Sequence, residues 1–329
     1  MKKLLNFSTH PGDPEMFGDD WTEIAAFLNQ WQFDGFELYP VGNYPFDTIP
    51  ARLIQGMHLR FFIFLREIWQ GDEMELLLLF ENWQNVEHFY GGRTRDAIID
   101  AYVYQLNLAQ QLGCEYVVFH PVHCDLAHIY DWKFPYHWRD TLTLCSEVLN
   151  ASLAQSSYKG LLLFENLWWP GSFRLTNHRE YDFLRERVNY DRCGIVLDTG
   201  HLFNSVGGFD KEEEAIDYLL RKVKRFGTMR KEIRTVHLTS SLSGSYIKQS
   251  RKENGTVPPT AHFWQRLSLA RKHVSRIDPH NPFTNPRIGK LFDLIQPDNI
   301  VFEFTFNTLD MWQDKIRQQK QVLLQRLWS

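Results

Sequence analysis

Eight short apolar segments recur along the chain of 329 residues, and they alternate with segments of helical periodicity. Apolar residues run together in these segments, which is typical of strands in a sheet that is covered on both faces. The alternation of strands with helices indicates parallel pairing. The strand segments are residues 3–9, 33–39, 53–59, 115–120, 160–165, 194–198, 233–237 and 299–304. The helical segments are residues 20–31, 94–112, 137–155, 178–188, 211–226, 262–274, 285–295 and 309–327.

Eight strand-and-helix units predict a closed (β/α)8 TIM barrel rather than an open sheet, because such a barrel takes about 250 residues. We therefore predict an α/β protein with a single domain over residues 1–329. The surplus residues are assigned to enlarged loops after the third and seventh strands, over residues 61–92 and 239–285. The second loop contains a basic run with Gly and Pro from Lys248 to Pro259, which is typical of loops.

Composition excludes several other classes of protein. Hydrophobic residues make up 43% of the chain, which supplies a large core and argues against disorder. No apolar run reaches the roughly 18 residues of a membrane-spanning helix, and the apolar start of the chain ends at Asn6, before a signal peptide develops. The net charge of −4 argues against a protein that coats nucleic acid, and the four cysteines fit neither a metal knuckle nor a disulfide framework. We expect a cytoplasmic protein with reduced thiols.

Four of the apolar segments end in a residue that can bind a metal ion. These residues are Glu165, Asp198, His237 and Glu303. The carboxyl ends of barrel strands meet at one face, so we expect the four side chains to converge. A buried carboxylate without a partner costs several kcal/mol, and one divalent cation would satisfy three carboxylates and an imidazole together. The sequence therefore predicts a metal site at this face.

Further residues of the same type lie near the predicted strand ends. His201 follows Asp198 in the sequence Asp-Thr-Gly-His, where Gly200 would permit a tight backbone. The others are His58, His120, Asp278 and His280. Taken alone, His58 or His120 is more typical of a core or loop histidine than of a metal ligand, and Asp278 to His280 is also typical of an ordinary turn. His10 and Glu37 are weaker candidates for the wall of the same pocket.

Two other features have a functional and a structural interpretation each. Trp168 and Trp169 follow Glu165 and would place two indoles at the mouth of the pocket, where they stack on a sugar or a base, or serve as apolar cover. The run from Lys248 to Arg251 is a candidate phosphate-binding patch or a solvated surface. Walker A, dinucleotide-binding and serine-hydrolase motifs are absent from the sequence, which argues against those functions.

The motifs at the last four strands resemble the xylose isomerase-like TIM-barrel superfamily. That superfamily includes sugar phosphate isomerases and epimerases as well as endonuclease IV, and the resemblance covers essentially the whole chain. The motifs are Phe-Glu-Asn at residues 164–166, Leu-Asp-Thr-Gly-His at 197–201, Val-His-Leu at 236–238 and Phe-Glu at 302–303.

The resemblance to the isomerases supplies our leading hypothesis for the function. It implies a metal-dependent isomerase or epimerase that acts on a small sugar, a sugar phosphate or a related ketone, with no organic cofactor. One Mn2+, Mg2+ or Co2+ ion would be bound by the four strand-end residues. Glu165 and Glu303 would be the catalytic pair that moves protons on opposite faces of a metal-stabilised enediolate, and His201 would contact the substrate.

The resemblance to endonuclease IV supplies the alternative, a multinuclear Zn2+ phosphoesterase that cleaves abasic sites or other phosphodiesters. Nucleic acid is a partner only under this alternative. The implied ligands are His58, His120, Glu165, Asp198, His201, His237, Asp278, His280 and Glu303. The chain departs from that branch in the 278 − 237 = 41 residues between His237 and Asp278, and in Asn281 to Pro286, which replace a Gly-rich stretch. One bound ion would favour the isomerase, and three would favour the phosphoesterase.

Overall fold

Eight parallel strands close into a barrel in the computed structural model, which describes residues 1–252 and 262–328. Each strand pairs with its neighbours in chain order, and β8 returns to β1 with Val301 opposite Leu4. The predicted (β/α)8 barrel is thereby confirmed. The strands are β1 (Lys2–Ser8), β2 (Gly35–Tyr39), β3 (Ile54–His58), β4 (Tyr116–Phe119), β5 (Leu161–Glu165), β6 (Cys193–Asp198), β7 (Ile233–His237) and β8 (Asn299–Phe302).

Helices surround the barrel and also fill the connections at its carboxyl end. The first eight are α1 (Gly12–Glu15), α2 (Trp21–Trp31), α3 (Arg66–Gln70), α4 (Glu73–Phe80), α5 (Trp83–Tyr90), α6 (Arg95–Gln111), α7 (Leu126–Asp131) and α8 (Trp138–Leu153). The next seven are α9 (His178–Arg187), α10 (Thr199–Asn204), α11 (Glu212–Arg225), α12 (Gly244–Lys252), α13 (Phe263–Ile277), α14 (Leu291–Leu294) and α15 (Leu309–Leu327). None of the helices in the described part of the chain is both long and apolar enough to cross a membrane.

The structure departs from strict alternation at one connection. Between β2 and β3 the chain forms two single 3-10 turns, Phe46–Thr48 and Ala51–Leu53, instead of a helix. Pro45 and Pro50 stand immediately before these turns, and a proline at such spacing interrupts the hydrogen-bond ladder of a longer helix.

The two long connections follow β3 and β7. The first contains α3, α4 and α5 before the barrel helix α6, and the second contains α12 and α13. Lys248 to Arg251 lie in α12 and not in a loop, because the segment forms an amphipathic helix that buries Ile247. The rest of the predicted basic loop, from residue 253 to Pro259, lies outside the described residues.

The interior of the barrel is filled by side chains from five of the strands. Its inner cluster consists of Leu4, Tyr116, Val118, Leu163, Val196 and Val301. The ring of Tyr116 occupies space that is open because residue 56 is glycine: a Cβ there would stand 2.2 Å from the ring. The barrel is therefore a packed core, and buried residues that can bind a metal ion lie at the carboxyl ends of its strands.

Candidate metal centre

Nine side chains converge at the carboxyl end of the barrel, and they form three groups that can each hold a metal ion. The groups are His58, His120 and Glu165; Glu165, Asp198, His237 and Glu303; and His201, Asp278 and His280. Within each group, the potential ligand atoms lie within 4.8 Å of one another. All nine residues come from the set that the sequence singled out, and Glu165 belongs to two groups.

The first group is built around one oxygen of Glu165. Its Oε2 atom lies 2.8 Å from Nε2 of His120 and 3.3 Å from Nε2 of His58. Nδ1 of His58 lies 3.0 Å from the carbonyl oxygen of Leu59, to which a protonated Nδ1 donates, so that Nε2 keeps its lone pair for an ion.

The second group surrounds Nδ1 of His237. That atom lies 3.4 Å from Oε1 of Glu165, 3.0 Å from Oε2 of Glu303 and 4.0 Å from Oδ2 of Asp198. These four atoms are buried and, within the described residues, have no partner with hydrogen-bond geometry. Their distances are short although their directions are wrong for hydrogen bonds, which is the pattern expected when lone pairs point at a common centre.

The third group is built around Asp278. Its Oδ2 atom lies 2.9 Å from Nε2 of His201 and 2.5 Å from Nε2 of His280. Nδ1 of His201 lies 2.9 Å from the carbonyl oxygen of Asn166, which fixes the ring and leaves Nε2 directed at the group. Oδ1 of Asp278 accepts a hydrogen bond from Ser241 at 2.5 Å.

The Asp-Thr-Gly-His motif forms a helix start and not the tight turn that we expected. Asp198 caps α10, accepting a hydrogen bond from the backbone of His201 at 2.6 Å, and His201 lies in the first turn. Gly200 is needed for space: a Cβ at this position would stand 2.7 Å from Oγ of Ser241. The cap and the close approach to Ser241 together place both ligand candidates on one side.

The long connection between β7 and β8 brings Asp278 and His280 to the metal centre. Ser240 and Asn281 form an isolated antiparallel bridge, in which each backbone N–H donates to the other carbonyl, at 2.7 and 3.2 Å. His280 has a left-handed φ of 47°, an unfavourable conformation for a side chain of this size. The 41-residue separation therefore inserts chain without displacing the two residues from the site.

Residues outside the three groups contact the ligand candidates and fix their orientation. Glu37 is buried on β2, and its oxygens lie 3.0 and 3.1 Å from Nε2 of His237, so a proton on Nε2 would leave Nδ1 free for an ion. Tyr116 donates to Glu37 at 2.7 Å. Sequence reasoning placed Glu37 only in the pocket wall. The available signal was an acidic residue inside the apolar strand Gly-Phe-Glu-Leu-Tyr.

Bound protons offset the negative charge of the buried carboxylates in this centre. Burial raises the pKa of Asp198 to about 8. Burial also opposes the charge of Glu165, but the positive charges of His120 and His237 hold its pKa well below its usual value. Burial lowers the pKa of His280, but Asp278 and Glu303 outweigh it and raise the value to about 9. Cations bound here would take over the compensating role of these protons.

The described residues fit a set of divalent ions. The ion pairs made by Glu165, Asp198, Asp278 and Glu303 within the described ranges are all with histidine, and none is with lysine or arginine. Carboxylate oxygens and imidazole nitrogens are ligands for Zn2+ and Mn2+ alike. The donor set therefore suits divalent ions.

The mouth of the centre is narrow. The side chains of His280 and Glu303 are each 16% exposed, and the other ligand candidates are more buried. Trp168 and Trp169 are buried, with the ring of Trp168 packed 4.8 Å from that of His201, and their assignment to substrate binding stays a prediction. The exposed aromatic ring is that of Phe61, 4.8 Å from the ring of His120, which the sequence did not single out.

A comparison with protein families identifies the family of this chain. Residues 90–268 match a sequence family described as the xylose isomerase-like TIM barrel, and this span covers more than half of the chain. The chain belongs to this family. No curated protein sequence matches it.

Solved structures of several enzymes resemble this member of the family. A probable 3-DHS dehydratase, AsbF, involved in petrobactin synthesis in Bacillus anthracis, has a TM-score of 0.49 at 12% identity, over 99% of this chain and 100% of that one. A sugar phosphate isomerase/epimerase from Parabacteroides distasonis has a TM-score of 0.46 at 11% identity, over 99% and 95%. D-psicose 3-epimerase from Clostridium cellulolyticum H10, solved with D-tagatose, has a TM-score of 0.45 at 13% identity, over 100% and 99%.

Proposed function

We propose that this chain hydrolyses phosphate esters with a cluster of three divalent ions. The observation that carries the proposal is the convergence of nine ligand-type residues into three groups that share Glu165. A single-ion isomerase accounts for the second group only. It leaves His58, His120, Asp278 and His280 without a role, although each of them is part of a group with metal-binding spacing.

The residues would hold the ions as the three groups indicate, with Glu165 shared between two of them. Bound divalent ions supply positive charge that stabilises a phosphoryl group in transfer and make water more acidic. Glu37 and Asn166 would fix the ring orientations of His237 and His201, respectively. His280 and Glu303 are the most exposed ligand candidates, at 16% each, so water and a phosphate ester would approach beside them.

A second candidate is the metal-dependent sugar isomerase or epimerase of our leading sequence hypothesis. The observation in its favour is the second group itself, in which Glu165 and Glu303 both lie close to His237 Nδ1, at 3.4 and 3.0 Å. Two carboxylates near one ion would suit proton transfer to and from an enediolate. This candidate needs one ion and makes no use of the third group.

Elemental analysis of the purified protein, combined with two assays, tests the choice. We expect about three ions per chain, hydrolysis of bis(p-nitrophenyl) phosphate, and no exchange of solvent deuterium into ketohexoses. The variant Asp278→Asn should lose one ion and reduce hydrolysis at least about 100-fold, because the loss of a ligand weakens an ion that the reaction needs. Asp100→Asn, an exposed change on α6, is the matched control.

The opposite pattern would contradict the proposal. One ion per chain, deuterium exchange into a ketose, and full activity in Asp278→Asn would establish the isomerase instead. Under that outcome Glu165→Gln and Glu303→Gln should each abolish the exchange, because those two carboxylates would be the proton carriers.

A further inference from the structure

Helix α13 begins against the connection after β3 and ends beside the ligand candidate Asp278 of the metal centre. Its first residue, Phe263, is completely buried against aromatic rings of the connection after β3, with ring centroids 4.3 Å from Phe80 and 6.0 Å from Phe89. Its last residue, Ile277, precedes the ligand candidate Asp278. A helix of 15 residues is about 22 Å long, so α13 extends from the β3 side of the barrel to the centre.

Both flanks of α13 are held by other connections. On one flank, the ring of His273 stacks on that of Tyr130 in α7, at 4.7 Å, and this helix follows β4. Arg271, two residues before, is close enough to the hydroxyl group of Tyr39, at the end of β2, for its charge to act on the pKa of that group. The helix thus lies between the connections that follow β2, β3 and β4, although it belongs to the connection after β7.

The start of α13 is fastened by polar contacts as well. Nε1 of Trp264 donates to Asn85 at 2.8 Å, and the guanidinium of Arg266 donates to the carbonyl oxygen of Leu79 at 2.6 Å. These contacts join segments about 180 residues apart in sequence. Together with the contact of Phe263 and Phe80, they hold the start of α13 against α4 and α5, and we call these three helices the roof.

We propose that this roof restricts the metal centre to small phosphate esters and to the ends of single strands, and excludes the interior of a nucleic-acid duplex. The inference rests on the proposed phosphoesterase function. A phosphate inside a duplex has chain on both sides and a second strand beside it, so its site must be open in two directions. Here α13 runs from the connection after β3 to Asp278, and the most exposed ligand candidates, His280 and Glu303, have 16% of their side-chain surface accessible.

Paramagnetic relaxation tests this without depending on turnover. The protein loaded with Mn2+ is mixed with dimethyl phosphate, or with a short blunt DNA duplex whose termini carry no phosphate, and the 31P linewidths are measured. We expect strong broadening for dimethyl phosphate and at least about ten times less for the duplex phosphates. Equal broadening of the duplex phosphates would contradict the proposal that the roof excludes a duplex. Absence of broadening in dimethyl phosphate would overturn both the inference and the proposed phosphate site.

Two variants sharpen the test by loosening the roof. Trp264→Ala removes an exposed anchor and its hydrogen bond to Asn85, and Phe263→Ala removes the buried one. We expect broadening of the duplex to increase several-fold in both while the number of bound ions stays the same. Phe27→Ala, a buried aromatic residue on α2, is the control for a general loss of packing. If the duplex signal is as narrow in both roof variants as in the wild type, α13 is not the barrier.

Discussion

At the scale of single residues, the candidate metal centre includes side chains that belong to none of the three ligand groups but contact their members. Glu37 illustrates this, because it is buried, accepts a hydrogen bond from Tyr116 and lies beside the outer nitrogen of His237. Partners of this kind set the tautomer of a histidine ligand and increase its basicity. A position described from the sequence as pocket wall thus has a positioning role in the structure.

Glu37→Gln should weaken metal binding without disturbing the fold. A neutral amide is a poorer acceptor for the Nε2–H group of His237, so Nδ1 becomes a weaker ligand, and we expect a 10- to 100-fold loss of affinity for one ion. Competition with a chromophoric chelator measures it. The exposed change Glu213→Gln on α11 provides the control. Unchanged affinity in Glu37→Gln would show that His237 needs no partner.

The histidine pKa values predict how the stability of the protein without ions changes with pH. Burial lowers the pKa of His280, but nearby carboxylates raise it to about 9, above the 6.5 of an unfolded histidine, and those of His201 and His237 also rise well above 6.5. A raised histidine pKa stabilises the fold fully below pH 6.5, and this contribution is lost as the pH rises through the folded value. Asp198, raised to about 8, acts in the same direction.

Thermal unfolding in the presence of a chelator should therefore show a falling midpoint between pH 6.5 and 9. With Zn2+ or Mn2+ bound, the ligands are already deprotonated, and the midpoint should change much less over this range. Metal affinity should rise over the same window, because ions compete with these protons. A flat profile in the chelated protein would mean that the carboxylates are compensated in some other way.

At the scale of elements, the third group depends on a close contact between α10 and the connection that follows β7. Gly200 on α10 approaches Ser241, whose hydroxyl group donates to Asp278. The motif Asp-Thr-Gly-His revealed the two ligand candidates, since their spacing is visible in the sequence. It did not reveal why the third residue is glycine, because Ser241 lies on a different connection.

Gly200→Ala should damage the third group selectively. The new methyl group would stand 2.7 Å from Oγ of Ser241 and displace the hydrogen bond to Asp278, and we expect the loss of about one ion and about 1–3 kcal/mol of stability. Elemental analysis and urea denaturation measure the two effects. In Gly12→Ala the nearest atom would be 3.8 Å away, so this variant should retain both properties. A fully loaded Gly200→Ala protein would refute the coupling.

At the scale of the whole molecule, the parts that could be predicted are those with a local signal. The strands were predicted because they are apolar runs, and the ligand candidates because a charged residue at the end of such a run is unusual. The helix α13 was predicted as a helix, whereas its position over the barrel was not. That position depends on Phe263 meeting Phe80 and Phe89, and no pattern within either segment identifies the other.

The last helix packs against the first barrel helix through a contact of the same kind. Trp312 on α15 is completely buried and stacks 4.3 Å from Phe306 and 4.9 Å from Phe27 on α2, so it joins the last helix to the first barrel helix. Trp312→Ala should cost about 3–5 kcal/mol, because the cavity between these elements cannot close fully. The cost can be measured by urea denaturation.

The conservative variant Trp312→Phe separates packing from function. It keeps an aromatic ring in the stack, so the loss should be smaller than in Trp312→Ala. The ions bound per folded chain should equal those of the wild type in both variants, because Trp312 stacks on the aromatic rings of Phe7 and Phe36 from the outer layer of the barrel and belongs to none of the three ligand groups. If Trp312→Phe bound fewer ions at full folding, closure of the barrel and assembly of the metal centre would be one event.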